Sequence, residues 1–559
     1  MKSRQRSRSV GGNVTVSLRR RRGAAALALS AVCGGLCGAA QAGSENLGDN
    51  TTLEYTVTLN YALAMRVENP SAALINGPVS ASTGLPGTVN QDDGDRNFKA
   101  GSLTNNRLGE LIEANLKHDN YGAFVRSDGF YDQAYHHPND NSSPDTVNKT
   151  GPYNQFTDEA KYFQGDRLRL LDAYAYGDWN LGGERNLNLR LGRQVVAWGE
   201  SLFFPNISGS QGPADATKAN VPGIEVKDIL LPVNQASAQF ALNNKLSLMG
   251  YYQFQYKANE LDPVGDYMSY TDVIGPGAQF IYAFGLAPGV SYEIQHAGDV
   301  QPSSFGQWGV GLHYSLGTAT ELGLYQLRYD DKNPVVDTNY GMVTLAPGAP
   351  AQFLPTTYNI NYKTGIDLSG VSLSSSIGPV NVAGEVSYKN GAQILVNTAG
   401  GPTYTPGKAT QAQASAIYIL GPSFLAREID FVGEAVYLRV NGVEPYNYFG
   451  SASSSLTDSK NAWAYEGTAT LNYPNVFNGW DLAVPLTWAH AVIGTAAVAG
   501  AFGSLVGHGD ERASAGVTFT WLTKLELAAS YNAFLGGADP VQRPLADRSY
   551  VALNVKYRF

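Results

Sequence analysis

Charged and amide side chains recur at alternate positions in several extended segments of this chain, and they are the residues best suited to bind a solute. Arg126, Asp128 and Asp132 share one face of a segment, and Arg190 and Gln194 share one face of another. The same parity predicts that six further residues face the same side: Gln326, Arg328, Glu385, Lys389, Asp430 and Glu434. Successive side chains of a strand point to opposite faces. These groups would therefore line a common surface, where they either pair and stiffen it or select solutes.

A second group of residues lies in long connections between extended segments. Trp198 and Glu200 stand at the start of one connection, followed by Phe203 and Phe204, and a later connection carries Tyr267 and Tyr270. Folded over the mouth of a channel, such aromatic groups would shape a lid or a constriction. Packing that simply fixes the loops is an equally good interpretation.

The segment 90–97 is rich in carboxylates and amides around Gly94. Oxygen ligands of this kind suit Ca²⁺. Their spacing is not that of an EF-hand loop, so a polar turn is the preferred interpretation and we predict no metal site.

Enzymatic chemistry has little support in the sequence. The seven histidines are scattered, and the chain contains neither a G-x-S-x-G elbow nor an H-E-x-x-H pair. We therefore predict no catalytic residue and no cofactor, and we do not expect an enzyme.

The first 42 residues are predicted to be a signal peptide. A basic stretch ending at Arg22 precedes an apolar stretch at 23–37 and a small-x-small cleavage site at Ala40-Gln41-Ala42. The mature chain would then be residues 43–559, a single β-barrel unit. The full chain already has a net charge of −9, and losing this basic peptide makes it more acidic. Nucleic acid is therefore not an expected partner.

The composition of the remainder is typical of a transmembrane β-barrel. The chain has 33 Tyr and 62 Gly, and only 16% of its residues are charged. Membrane barrels combine aromatic girdles, glycine-rich loops and strands that are apolar on one face only.

The last strand carries the clearest barrel pattern. Val551, Leu553 and Val555 fall on one face, Asn554 and Lys556 fall on the other, and the chain ends on the aromatic Phe559. A terminal aromatic after such alternation resembles the address that the barrel-assembly machinery reads in outer-membrane proteins, so we expect that machinery to be a partner.

Similar segments recur throughout, joined alternately by short and long connections. They predict an all-β, antiparallel transmembrane barrel of about eighteen strands (roughly fourteen to twenty, because 283–296 can hide another pair) with short periplasmic turns and long extracellular loops. The predicted strands are 52–67, 106–117, 121–135, 167–180, 186–198, 234–242, 245–258, 307–316, 320–330, 367–376, 380–390, 410–420, 428–440, 461–473, 480–492, 512–521, 524–534 and 548–559.

Several phrases resemble the Gram-negative outer-membrane family known as domain of unknown function 1302. They are NQDDGDRNF (90–98), YGAFVRSD (121–128), LRLGRQVVAWGES (189–201), VPG (221–223), LLP (230–232), LDPVG (261–265) and GEVSY (384–388). Val264 departs from the family, whose members often carry cysteine there. The resemblance implies an outer-membrane location among lipid and lipopolysaccharide. It also implies movement of hydrophobic compounds, with a periplasmic lipid-carrier-like protein as a partner.

Three functions remain open from the sequence. A channel or transporter for hydrophobic or amphipathic compounds is favoured. A porin for small polar solutes and a structural or adhesive surface barrel are the alternatives. An apolar pocket lined by the loop aromatics would favour the first, and an open, charged constriction would favour the porin.

Overall fold

A computed structural model describes residues 43–76, 87–283, 292–345 and 348–559, and its main element is a closed antiparallel sheet. The described strands are numbered β1 to β25 in chain order. Eighteen of them form the barrel wall: β2 (Thr51–Arg66), β3 (Leu103–His118), β4 (Tyr121–Asp132), β5 (Asp166–Asn180), β6 (Asn186–Gln194), β7 (Val233–Ala241), β8 (Leu246–Gln253), β11 (Trp308–Ser315), β12 (Thr320–Tyr329), β15 (Ile366–Ile377), β16 (Val380–Thr398), β17 (Gly401–Leu420), β18 (Glu428–Val443), β21 (Asn461–Phe477), β22 (Trp480–Ile493), β23 (Glu511–Trp521), β24 (Leu525–Leu535) and β25 (Tyr550–Arg558).

Each wall strand pairs with the next wall strand along the chain, and β25 returns to pair with β2. In that closing pair Leu553 lies opposite Leu63. Closure leaves no unpaired sheet edge, as a barrel in lipid requires. The predicted fold class and the count of eighteen strands are confirmed.

The remaining described strands lie outside the wall. They are β1 (Gly43–Gly48), β9 (Phe280–Ala283), β10 (Tyr292–Val300), β13 (Val335–Val343), β14 (Gln352–Asn361), β19 (Tyr446–Tyr448) and β20 (Ser451–Ser453). The additional pair considered at 283–296 corresponds to β9 and β10, which join β13 and β14 in a separate four-stranded sheet. β1 pairs with the first residues of β2. The predicted signal peptide, 1–42, lies outside the described residues.

The two faces of the wall differ in the way the sequence alternation predicts. On β25, Leu553 is 55% exposed, whereas Asn554 is 4% and Lys556 is 6% exposed. Large apolar side chains are exposed on the outer face around the ring, as a bilayer requires. They include Tyr61, Leu108, Val125, Leu170, Leu191, Leu248, Val310, Leu324, Val371, Val386, Phe431, Tyr437, Trp488, Val517, Leu527 and Leu553.

The connections are short at one end of the barrel and, except for the two-residue turn between β16 and β17, long at the other, which is the extracellular end in barrels of this class. The long connections include 67–102, 133–165, 195–232 and 254–307. They contain short helical turns at Ala72–Ile75, Asp93–Arg96, Gln133–His136, Asp158–Ala160, Lys161–Gly165, Ser208–Ser210, Ala216–Lys218 and Val226–Ile229. Among the described residues, no helix is long and apolar enough to cross a membrane.

Candidate functional site

Most of the polar residues predicted to face inward lie on the inner face of the wall. Seven of them are buried: Arg126, Asp128, Asp132, Gln194, Glu385, Lys389 and Glu434. Residues of the opposite parity on the same strands, such as Val125, Val386 and Tyr437, are exposed on the outer face. Arg190 and Asp430 share the inward parity and are more exposed. The structure therefore gathers these side chains around one lumen.

The prediction that Gln326 and Arg328 face inward is wrong. On β12 the buried, inward residues are Tyr325, Leu327 and Tyr329. Gln326 and Arg328 lie on the outer face near the extracellular end, where they contact polar groups of β15: the Gln326 Oε1 accepts from Ser369 at 2.6 Å, and Arg328 pairs with Asp367 at 2.9 Å. The reason is that the inner face of β12 packs against a loop inside the barrel, so the apolar alternate residues point inward here.

That loop, 195–232, joins β6 to β7 and folds into the lumen. The Glu434 carboxylate on β18 accepts three backbone N–H groups of the loop, from Leu202, Phe203 and Phe204, at 2.6 to 3.3 Å. Glu385 on β16 accepts two more, from residues 200 and 207, at 2.6 and 3.2 Å. These two wall carboxylates hold the loop through its main chain.

The same loop is also attached to another part of the wall. Asn60 on β2 donates to the Pro222 carbonyl at 3.1 Å, and Lys556 on β25 pairs with Glu225 at 3.0 Å. Since β16 and β2 are almost opposite each other in the ring of wall strands, the loop crosses the lumen. We call 195–232 the lumen-crossing loop.

A network of ion pairs joins the loops to the inner face of β5. Arg167 and Arg169 each pair with both Asp215 of the lumen-crossing loop and Glu260 of the next long loop, at 2.7 to 3.0 Å. Arg169 also pairs with Asp128 at 2.8 Å. Burial opposes ionisation of Glu260, but the neighbouring arginine and lysine side chains lower its pKa to about 2. These charges compensate one another and fix the loops.

Arg167, Arg169 and Asp215 were not predicted as site residues. The sequence contained a signal for the two arginines, because they alternate with Leu168 and Leu170, which are exposed on the outer face. No local pattern marks Asp215, which lies in an irregular loop. Other predicted inward charges are paired too: Arg126 with Asp172 at 2.7 Å, and Arg107 with Asp132 at 3.1 Å.

Three of the predicted loop aromatics contact other aromatic side chains; Phe204 and Tyr267 are buried, whereas Trp198 is only partly buried. Trp198 lies 5.1 Å from Tyr251 of the wall, measured between ring centroids. Phe204 is 1% exposed and packs near Phe502. Tyr267 is 3% exposed and packs in an extracellular cluster against Phe98, at 5.3 Å.

The other three predicted loop residues keep part of their surface accessible. Phe203 and Glu200 are partly buried, and Tyr270 is 41% exposed. Burial, followed by the nearby carboxylate of Glu321, raises the pKa of Glu200. These three residues and the partly buried Trp198 are the predicted loop residues that keep surface able to meet a solute.

A compact acidic cluster was missed by the sequence interpretation of 90–97 as a polar turn. Asp92 and Asp93 of this segment lie beside Asp272 of a distant loop, all three buried. One carboxylate oxygen from each lies within 4.8 Å of the others. Burial is the main cause that raises the pKa of Asp92 to about 8 and that of Asp93 to about 6.

Comparison with known proteins identifies a family and a set of distant structural similarities. The sequence profile of the family described as "Protein of unknown function (DUF1302)" matches residues 23–559. No curated protein matches the chain.

Several solved outer-membrane channels are similar to the chain over most of its length. OccAB1 of Acinetobacter baumannii is 9% identical, with 93% of this chain and 99% of that chain covered and a TM-score of 0.41. The outer membrane channel DcaP of the same species is 10% identical, with 93% and 100% covered and a TM-score of 0.37. OpdK of Pseudomonas aeruginosa, solved with vanillate, is 9% identical, with 91% and 98% covered and a TM-score of 0.37. These identities and TM-scores indicate a distant structural similarity only.

Proposed function

The chain belongs to the DUF1302 family, and we propose that it is a selective channel of the Gram-negative outer membrane for amphipathic solutes. The observation that carries the proposal is the lumen-crossing loop, which is held by wall carboxylates on one side and by Asn60 and Lys556 on another. A ring of eighteen strands is wide enough for an aqueous lumen. A loop fixed across it supports a narrow, selective path.

The accessible surface of the lumen favours solutes that have both a charged group and an apolar body. Phe204 and Tyr267 are buried against other side chains, so they do not line the apolar pocket that a purely hydrophobic route requires. Arg190, exposed on the inner face, lies 5.7 Å from the ring of Tyr174. A guanidinium beside an aromatic face suits a solute that carries a carboxylate on an apolar body.

A porin for small polar solutes is the second candidate. It is favoured by the many charged residues on the inner face of the wall. Several of those charges are already paired, as Arg126 with Asp172 and Arg169 with Asp128. A paired group is less available to a solute, so we place the porin second.

Uptake by whole cells tests this proposal. A strain without the protein and its complemented parent are compared for uptake of a steroid carboxylate, a neutral steroid and a small sugar. We expect loss of steroid carboxylate uptake only. Loss confined to the sugar would establish the porin, equal loss of both steroids would establish a purely hydrophobic route, and unchanged uptake of all three would support a structural role.

A pair of variants tests the part played by the lumen cation. Arg190→Gln should lower uptake of the steroid carboxylate and leave the neutral steroid unaffected. Arg185→Gln, in the exposed turn that precedes β6, is the matched control and should change neither. Equal effects of the two substitutions would remove Arg190 from the proposed path.

A further inference from the structure

The acidic cluster in the extracellular loops has an unusual environment. Asp92 and Asp272 are 0% exposed and Asp93 is 2% exposed. Asp92 and Asp93 lie in the connection between β2 and β3, and Asp272 lies in the connection between β8 and β11. The cluster therefore brings together two loops that are about 180 residues apart in sequence.

Each of these carboxylates keeps one oxygen without a hydrogen-bond donor among the described residues. The Asp272 Oδ2 accepts from the backbone N–H of Asp93 at 3.2 Å, and the Asp93 Oδ2 accepts from the backbone N–H of Asn148 at 3.2 Å. The Oδ1 atoms of Asp92, Asp93 and Asp272 are buried without a partner. A buried carboxylate oxygen that lacks any donor is costly, and three close together are costlier still.

Positive charge within the chain compensates only part of this cluster. Arg96 pairs with Asp92 through its Nε at 2.9 Å. Lys149 is close enough to lower the pKa of Asp93, but its ammonium group donates to the carbonyls of Pro152 and Gln155.

Neutral oxygens of the same turns are unpartnered as well. The Oδ1 of Asn148, the Oε1 of Gln91 and the Oγ1 of Thr88 are buried and have no donor among the described residues. Asn148 is fully buried and directly contacts the Asp93 carboxylate through its backbone. Unpartnered acceptors are therefore found in the turn that carries Asp92 and Asp93 and in the segment of Asn148 that contacts it.

The two acidic segments are also held in tight contact. At Gly94, a Cβ atom would come within about 2.5 Å of the carbonyl oxygens of Asp266 and Ser269. Only glycine permits this approach. The backbone therefore brings the turn of Asp92 and Asp93 against the loop of Asp272 independently of the carboxylates.

We propose that Asp92, Asp93 and Asp272 bind one Ca²⁺ ion that joins two extracellular loops, the β2–β3 and β8–β11 connections. Oxygen is the only ligand element in the cluster, and Ca²⁺ accepts six to eight oxygens in flexible geometry, with carboxylates and amide oxygens among them. Mg²⁺ demands a stricter octahedron and keeps several waters, which a cluster of buried carboxylates suits poorly. The ion would fasten the loops that cover the extracellular mouth of the barrel.

Calcium titration of the full-length folded barrel in detergent tests the site. Isothermal titration with CaCl₂ should give one ion per chain, and Asp93→Asn and Asp272→Asn should each weaken binding by more than about tenfold. Glu159→Gln, which removes one exposed acid from a neighbouring extracellular loop, should bind like the wild type. Heat-modifiable migration checks that every variant has folded.

Thermal unfolding separates an ion site from a merely structural cluster. The wild type should unfold at a higher temperature in CaCl₂ than in EGTA, and the two asparagine variants should lose most of this difference. In EGTA the variants should be at least as stable as the wild type, because each removes a buried charge and an amide can donate to a remaining carboxylate. Absence of saturable Ca²⁺ binding by the wild type, or wild-type affinity in both asparagine variants, would overturn the proposal.

Discussion

Release of the lumen-crossing loop should convert a narrow path into a wide one. The perturbation is the double substitution Glu385→Ala with Glu434→Ala, which removes both wall carboxylates that hold the loop. Glu434 accepts three backbone N–H groups of the loop at 2.6 to 3.3 Å, and Glu385 accepts two at 2.6 and 3.2 Å. The strands themselves keep their main-chain pairing, so the wall should remain closed.

The magnitude follows from the donors left behind. A buried donor without an acceptor costs about 1 to 3 kcal/mol, so the two fully buried donors, the backbone N–H groups of Phe204 and Ile207, would together cost about 2 to 6 kcal/mol if the loop stayed in place. Burial of a phenylalanine such as Phe204 contributes only about 1.5 to 3 kcal/mol in return. These two unpaired donors match or outweigh the packing of Phe204, so the segment 199–207 should leave its position to reach water, while Asp215 and Glu225 keep the rest of the loop attached.

Single-channel conductance in planar bilayers measures this release directly. We expect the double variant to conduct several times more than the wild type. Asp430→Ala is the matched control, because Asp430 faces the same lumen from the same strand but accepts from Asn472 of the neighbouring strand at 2.7 Å. Unchanged conductance in the double variant, or an equal rise in the control, would refute the argument that these carboxylates hold the loop.

Three further predictions concern assembly, register and the extracellular loops. Deleting Phe559 should reduce the amount of assembled barrel, measured by heat-modifiable migration, and unchanged abundance would count against a terminal assembly signal. Leu553→Cys, at a residue 55% exposed, should react with a lipid-soluble thiol reagent, and Asn554→Cys, at a residue 4% exposed, should not; the reverse result would mean that the strand is shifted by one residue. Arg66→Met removes a fully buried guanidinium that pairs with carboxylates of two loops at 2.8 and 3.2 Å. It should destabilise those loops by about 3 to 5 kcal/mol and expose them to protease before the wall, so an unchanged cleavage pattern would contradict it.

The wall was predictable because its signals are local. Each membrane strand alternates with a period of two residues and ends at a turn, so all eighteen predicted segments correspond to wall strands. One predicted end of β16 and one of β17 were wrong. In the structure β16 continues to Thr398, beyond the predicted limit of 390, and β17 already begins at Gly401, before the predicted start at 410. Gly391, at a φ of 91°, breaks the register there. Past this point the two strands form an extension without the same lipid-facing alternation.

Features of the site that depend on contacts between distant segments were not predictable. The alternation in β12 alone did not decide which face of the strand points into the lumen. Its inner face is apolar because the lumen-crossing loop packs on Tyr325 and Leu327. Only the loop decides that Gln326 lies on the outer face, and no strand pattern reports a loop. Asp272 joins Asp92 in the same way, through folding alone.

The wall strands nevertheless carry partial information about where the loop is attached, at Glu434 and Glu385. Glu434 lies opposite Ser415 on one neighbouring strand and opposite Glu466 on the other, so its strand partners include a like charge and no cation. Glu385 lies opposite Ser372 and Gln413. Inward carboxylates that lack a cation on adjacent strands must find donors elsewhere, since an unsatisfied buried charge is expensive. The backbone N–H groups of any loop can supply such donors, whatever the loop's sequence. The wall therefore indicates where a loop must attach but not which loop attaches there.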